Sequence, residues 1–93
     1  MKEMKIEVLG SDPPCSRCRM TEKVVREVAK RLTSGQRKFE IRELVAKSEE
    51  AKAKYGDLTT PAIAINGTVK LQGRLPSATE VETLLLKASD AEA

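Results

Sequence analysis

Two cysteines, Cys15 and Cys18, are the residues of this 93-residue chain best suited to covalent chemistry. They are its only cysteines, with Ser16 and Arg17 between them. A Cys-x-x-Cys pair closes too short a loop to brace a domain as a structural disulfide, because that stabilisation grows with loop length. Redox chemistry and metal binding remain. Two thiolates are half of a tetrahedral zinc set, and no third Cys and no His exists to complete it. Zinc shared between two copies of the chain, or carriage of Cu(I), stays open on that count. The absence of His also excludes His general bases, Ser–His triads and mixed Cys/His zinc sites.

The elements that must position the pair are readable on both sides of it. Lys5–Leu9 puts Ile6 and Val8 on one face, which predicts a short strand. Gly10–Pro14 is turn chemistry, and its two prolines restrict the approach to Cys15. From Cys15 or Ser16 to about Thr33, residues Met20, Val24, Val25, Val28 and Leu32 recur at helical spacing. Glu22, Lys23, Arg26, Glu27 and Lys30 take the opposite face, and the helix ends near Gly35. Phe39–Val45 alternates as a second strand would. Ser48-Glu49-Glu50 then reads as an N-cap with acids in the first turn of a short helix that Gly56 stops.

Pro61–Ile65 is apolar on both faces, as expected of a central strand covered on both sides. Asn66-Gly67 is a hairpin turn signal leading into Thr68–Gln72. Ser77-Ala78-Thr79-Glu80 reads as a capping box opening a last helix, with Val81, Leu84, Leu85 and Ala88 inward and a frayed tail from Ser89. The order is βαβαββα: an α/β fold with a four-stranded mixed sheet and helices on both faces. Its first βαβ unit should be parallel and its hairpin antiparallel. The first and last helices are expected on one face and the short middle helix on the other. No repeat, linker or low-complexity segment interrupts it, so one domain is expected over residues 1–93, ordered over about 5–88.

Composition narrows the function classes. Hydrophobic residues make up 40% and charged residues 33%, a globular balance that excludes a disordered chain. No apolar run approaches the roughly 18 residues needed to cross a bilayer, and Met1–Lys5 lacks a signal-peptide profile. The expectation is therefore a cytoplasmic protein without a membrane partner. The net charge of +3 is spread among interspersed acids and bases. With only Phe39 and Tyr55 available to stack on bases, nucleic acid is not an expected partner.

Cys-x-x-Cys at the junction of a first strand and a first helix, inside a βαβ pattern, resembles a thioredoxin-like redox motif. The resemblance extends from Lys5 to about Ala88. The run Thr59-Thr60-Pro61-Ala62-Ile63-Ala64-Ile65-Asn66-Gly67 looks like the family's cis-proline strand and the hairpin after it. The chain is most similar to the small thioredoxin-like redox-active disulfide proteins of archaea and bacteria. Three departures stand out. Pro14-Cys15-Ser16-Arg17-Cys18 replaces the usual Trp-Cys-Gly-Pro-Cys, and Leu9 stands where a buried Asp is usual. Gly73-Arg74-Leu75-Pro76 does not match the Gly-Gly-x-Asp of glutaredoxin glutathione sites, which favours protein disulfides as substrates.

The resemblance implies a thiol–disulfide oxidoreductase that needs no cofactor beyond the Cys15–Cys18 couple. Cys15, at a helix N-terminus, meets unpaired backbone amides and the positive end of the macrodipole, which favour its attacking thiolate; Arg17, Arg19 and Lys23 add positive charge. Cys18, one turn further in, would resolve the mixed disulfide. Thr60 and Pro61 are the implied substrate-binding residues. A cis Pro61 would turn the Thr60 backbone toward the cysteines, to pair with an extended substrate segment. Tyr55 is expected in the core, with a role as proton partner in place of the missing Asp the lesser reading; Arg74 is expected to be solvated. The implied partners are disulfide-containing target proteins and a separate thioredoxin-reductase-type electron donor, with the chain itself monomeric. The alternatives are a glutaredoxin-like reductase and a non-enzymatic Cys-x-x-Cys metal carrier. Against the carrier, position 13 is Pro rather than the Met that copper chaperones usually show, and their βαββαβ order differs.

Overall fold

The computed structural model describes residues 2–13 and 15–91; Pro14, one of the two prolines before Cys15, lies outside the described residues. The elements are β1 (Lys2–Gly10), α1 (Ser16–Leu32), β2 (Arg37–Val45), α2 (Glu49–Tyr55), β3 (Ala62–Ile65), β4 (Thr68–Gln72) and α3 (Ala78–Ala91). The sheet runs β2-β1-β3-β4. β1 is parallel to β2 along its whole length, from Lys2↔Arg37 to Gly10↔Val45, and antiparallel to β3. β3 and β4 form the antiparallel hairpin, with Asn66 and Gly67 both at positive φ in its turn. A bulge follows Ile63, because Ala64 faces Val69 and leaves Lys70 without a partner residue in the register.

Side-chain alternation in β1 sorts the core into two layers. Ile6 and Val8 face α1 and α3, in a cluster with Val25, Val28, Ala29, Ile63, Ile65, Val81 and Leu85. Leu9 faces the other way, into a smaller cluster with Leu44, Ala46, Ala51, Ala62 and Ala64. Both β1 and β3 are therefore covered on both faces, and α2 alone covers the second. An Arg31–Glu82 ion pair at 2.9 Å ties the exposed sides of α1 and α3 together.

The structure corrects four details of the sequence reading. β1 starts at Lys2 rather than Lys5, since the alternation extends back to a fully buried Met4. Met20, expected inward on α1, is 52% exposed, and Thr21 is buried in its stead. Thr21 tolerates burial because its hydroxyl donates to the Arg17 carbonyl at 2.7 Å. The Ser77 hydroxyl accepts the Glu80 N–H at 3.1 Å, but the Glu80 carboxylate bonds Arg74 instead of closing the box. Finally, α3 continues past Ser89, which is buried, to Ala91.

Candidate active site

Cys15 is the N-cap of α1, with extended backbone angles. Its Sγ accepts the Cys18 N–H at 3.1 Å, and its carbonyl accepts the Arg19 N–H at 3.0 Å. A sulfur thus does what a Ser or Asp oxygen commonly does at this position. Among the first-turn residues of α1 none is acidic, so no side-chain anion there competes for the amides. Cys15 is exposed, whereas Cys18 is 4% exposed. The two are joined as a disulfide with their Cα atoms 5.0 Å apart. The helix therefore presents one sulfur to solvent and holds the other beneath it.

Arg17 stands exposed in the first turn of α1, with no ion pair to any described residue. Lys23 is also exposed but lies about 10 Å further along the axis, at 1.5 Å per residue, beyond the turn where the helix terminus acts. The Thr60–Pro61 peptide is cis, Pro61 is buried, and Thr60 is half-buried. The segment is fixed from β4: the Gly73 N–H donates to the carbonyls of Thr59 (3.1 Å) and Pro61 (2.9 Å), and Thr59 N–H donates to Gln72 Oε1 (3.0 Å). Gly73 adopts φ +83°, a conformation in which glycine is at ease.

Two grooves meet at the β1–α1 loop. One, of about 450 Å³, is lined by Cys18, Arg19, Glu22 and the end of β2. The other, of about 540 Å³, is lined by Thr60, Leu58 and Lys47. Gly10, Ser11, Asp12 and Val45 belong to both, so the loop divides the buried cysteine from the Thr60 segment. Val45 is one of the exposed large apolar side chains and sits where the grooves join.

The remaining candidates lie elsewhere. Tyr55 is half-buried against the smaller cluster, and its hydroxyl donates to Glu7 rather than approaching the sulfurs. Arg74 is exposed and is held by Glu80. Leu9 is fully buried where the usual carboxylate was sought, but Glu7, two residues earlier on the same face, is 7% exposed. Sequence reasoning missed Glu7. Besides Tyr55, its carboxylate accepts Lys54 Nζ at 3.0 Å on both oxygens, with Arg42 at 3.7 Å. Burial by itself would raise this carboxyl, but the hydrogen bonds from Tyr55 and Lys54 and the nearby charges outweigh it and hold it below its ordinary value. Burial, and then Glu7, push the Tyr55 phenol up to about 12. Ser11, at the loop shared by the grooves, was missed too. No group of three or more potential metal ligands occurs among the described residues, and no helix among them is long and apolar enough to cross a membrane.

Comparison with known proteins agrees with this arrangement. Residues 4–86 match the family model of the thioredoxin domain. A thioredoxin of Methanothermobacter thermautotrophicus is 30% identical over 82 residues, which cover 88% of this chain and 97% of that protein. The solution structure of the oxidised thioredoxin from Plasmodium falciparum has the same fold, with a TM-score of 0.66 at 16% identity, over 95% of this chain and 83% of that one.

Proposed function

The chain belongs to the thioredoxin family and has the paired cysteines of a thiol–disulfide oxidoreductase; from that premise we propose that it reduces disulfides in other proteins. The carrying observation is the asymmetry of the pair, with Cys15 exposed as the cap of α1 and Cys18 buried one turn on. In the reduced protein the Cys15 thiolate, held by the Cys18 N–H and the helix terminus, attacks one sulfur of a target disulfide. The target's S–S bond breaks, its other sulfur leaves as a thiolate that takes a proton from solvent, and a Cys15–target mixed disulfide forms.

Cys18 then loses its proton and attacks Cys15 Sγ. The Cys15–Cys18 bond forms as the second target sulfur departs and is protonated. The target has gained two electrons from the pair and two protons. The pair, which began with Cys15 as a thiolate, has given up those electrons and the single Cys18 proton. A separate reductase protein returns both to the pair, since the chain has no nucleotide- or flavin-binding motif. Thr60 supplies the docking backbone: no described residue hydrogen-bonds it, and it lines a groove beside the site. Arg17 adds positive charge that favours the Cys15 thiolate.

Substitution of each cysteine tests this reading. Cys18→Ser should accumulate a mixed disulfide with a protein substrate, and Cys15→Ser should form none. Covalent trapping by Cys15→Ser, or by neither variant, would overturn it. A metal carrier would instead lose metal equally with either substitution, since each cysteine would supply one ligand.

A further inference from the structure

Resting on the oxidoreductase reading, we propose that Ser11 is a further residue of the reaction, its hydroxyl donating a hydrogen bond to the Cys18 thiolate as the mixed disulfide is resolved. Ser11 Oγ touches both ends of the pair. It accepts the Cys15 N–H at 3.1 Å and lies 3.9 Å from Cys18 Sγ. No other described side-chain oxygen or nitrogen stands within hydrogen-bonding reach of that sulfur. Cys18 is nearly inaccessible, so water cannot surround a charge formed there, and an unpaired buried anion is costly.

A hydroxyl has one proton to give. In the disulfide form it points to the Pro13 carbonyl at 2.9 Å, because a disulfide sulfur carries no charge to attract it. Loss of the Cys18 proton makes the sulfur the stronger acceptor, and rotation about the Cβ–Oγ bond redirects the O–H toward it. Ser11 also lines both grooves, so the proton leaving Cys18 passes to solvent at this same place. Ser11 itself keeps its proton throughout. The electron pair of the Cys18 thiolate becomes the new Cys15–Cys18 bond, and the pair of the old bond leaves with the target sulfur.

The experiment mixes reduced protein, without oxygen, with an aromatic disulfide that releases a coloured thiolate. The first release reports attack by Cys15 and the second reports resolution by Cys18; Cys18→Ser should give the first only. Hydrogen bonds to charged groups set the scale, so Ser11→Ala should slow the second release about tenfold at neutral pH. Its pH midpoint should rise by about one unit, the equivalent of that factor. Ser11→Thr keeps the hydroxyl and should restore the wild-type midpoint. An unmoved midpoint in Ser11→Ala, or a Ser11→Thr that behaves like it, would overturn the assignment, because a purely structural defect changes the rate without moving the titration. If the wild type releases no coloured thiolate at all, the oxidoreductase reading fails instead.

Discussion

Replacing Glu7 by Gln removes the charge from the only buried acidic side chain among the described residues while keeping its shape. The contacts set the size of the effect. Lys54 and Arg42 are 44% and 54% exposed, so water screens both, and each ion pair contributes about 0.2–1 kcal/mol. The Tyr55 hydroxyl bonds the carboxylate where it is shielded, and a hydrogen bond to a charged group contributes about 1.5–3 kcal/mol. A Gln oxygen still accepts from Tyr55, but without the charge. The expected loss is therefore about 2 kcal/mol at pH 7, read from urea unfolding of the oxidised protein. The folded carboxyl lies below its ordinary 4.5. Its contribution is then complete above pH 4.5 and is lost as pH falls through the folded value. The gap between wild type and Glu7→Gln should close in acid. A gap that widens on acidification would refute the reasoning. About 1 M salt, with a Debye length near 3 Å, should remove only the smaller ion-pair share. At the alkaline end the phenol is raised from 10.0 to about 12, so stability is complete below pH 10 and falls from there to about 12. Tyr55→Phe should abolish this alkaline fall.

Gly10→Ala would place a methyl 3.2 Å from Cys18 Cβ and 3.4 Å from its Sγ, so it should cost about 1–2 kcal/mol in the oxidised protein; an unchanged urea midpoint would contradict that tight approach. Ser48→Ala removes the oxygen that accepts the Ala51 N–H at 3.2 Å and should cost about 1 kcal/mol, with Ser48→Asp largely neutral by the same assay. Leu85→Ala opens a cavity between α3 and the sheet and should cost about 2–5 kcal/mol, lowering the thermal midpoint accordingly.

The element order was legible because each boundary carried a local signal. Asn66-Gly67 marked the hairpin, Ser48 the start of α2, and the apolar Pro61–Ile65 run a strand covered on both sides. The cysteines were legible because so few residue types can do covalent chemistry. Glu7 was hidden by distance along the chain. Alternation in β1 assigned Ile6 and Val8 to one layer and the short middle helix was expected over the other, but nothing in the sequence singled out Glu7, whose carboxylate α2 encloses with Tyr55 and Lys54. Partners 47 and 48 residues away leave no pattern in the neighbourhood of residue 7. Ser11 was hidden differently, since a serine between Gly and Asp is ordinary turn composition and only the folded loop brings its oxygen to both cysteines. Met20 and Thr21 exchanged places because a satisfied hydroxyl can occupy the buried phase of a helix.

The chain has one phenylalanine, one tyrosine and no tryptophan, and the two rings fall on opposite sides of the sheet. Phe39 packs with the α1 and α3 layer and Tyr55 with the α2 layer. Each layer thus has a native spectroscopic reporter of its own. Near-ultraviolet tyrosine signals follow the α2 side alone, and the phenyl ring resonances follow the other. Because a single seven-residue helix covers the Tyr55 side, loosening confined to that side would be visible in tyrosine signals while the phenyl resonances kept their native positions, with no label attached.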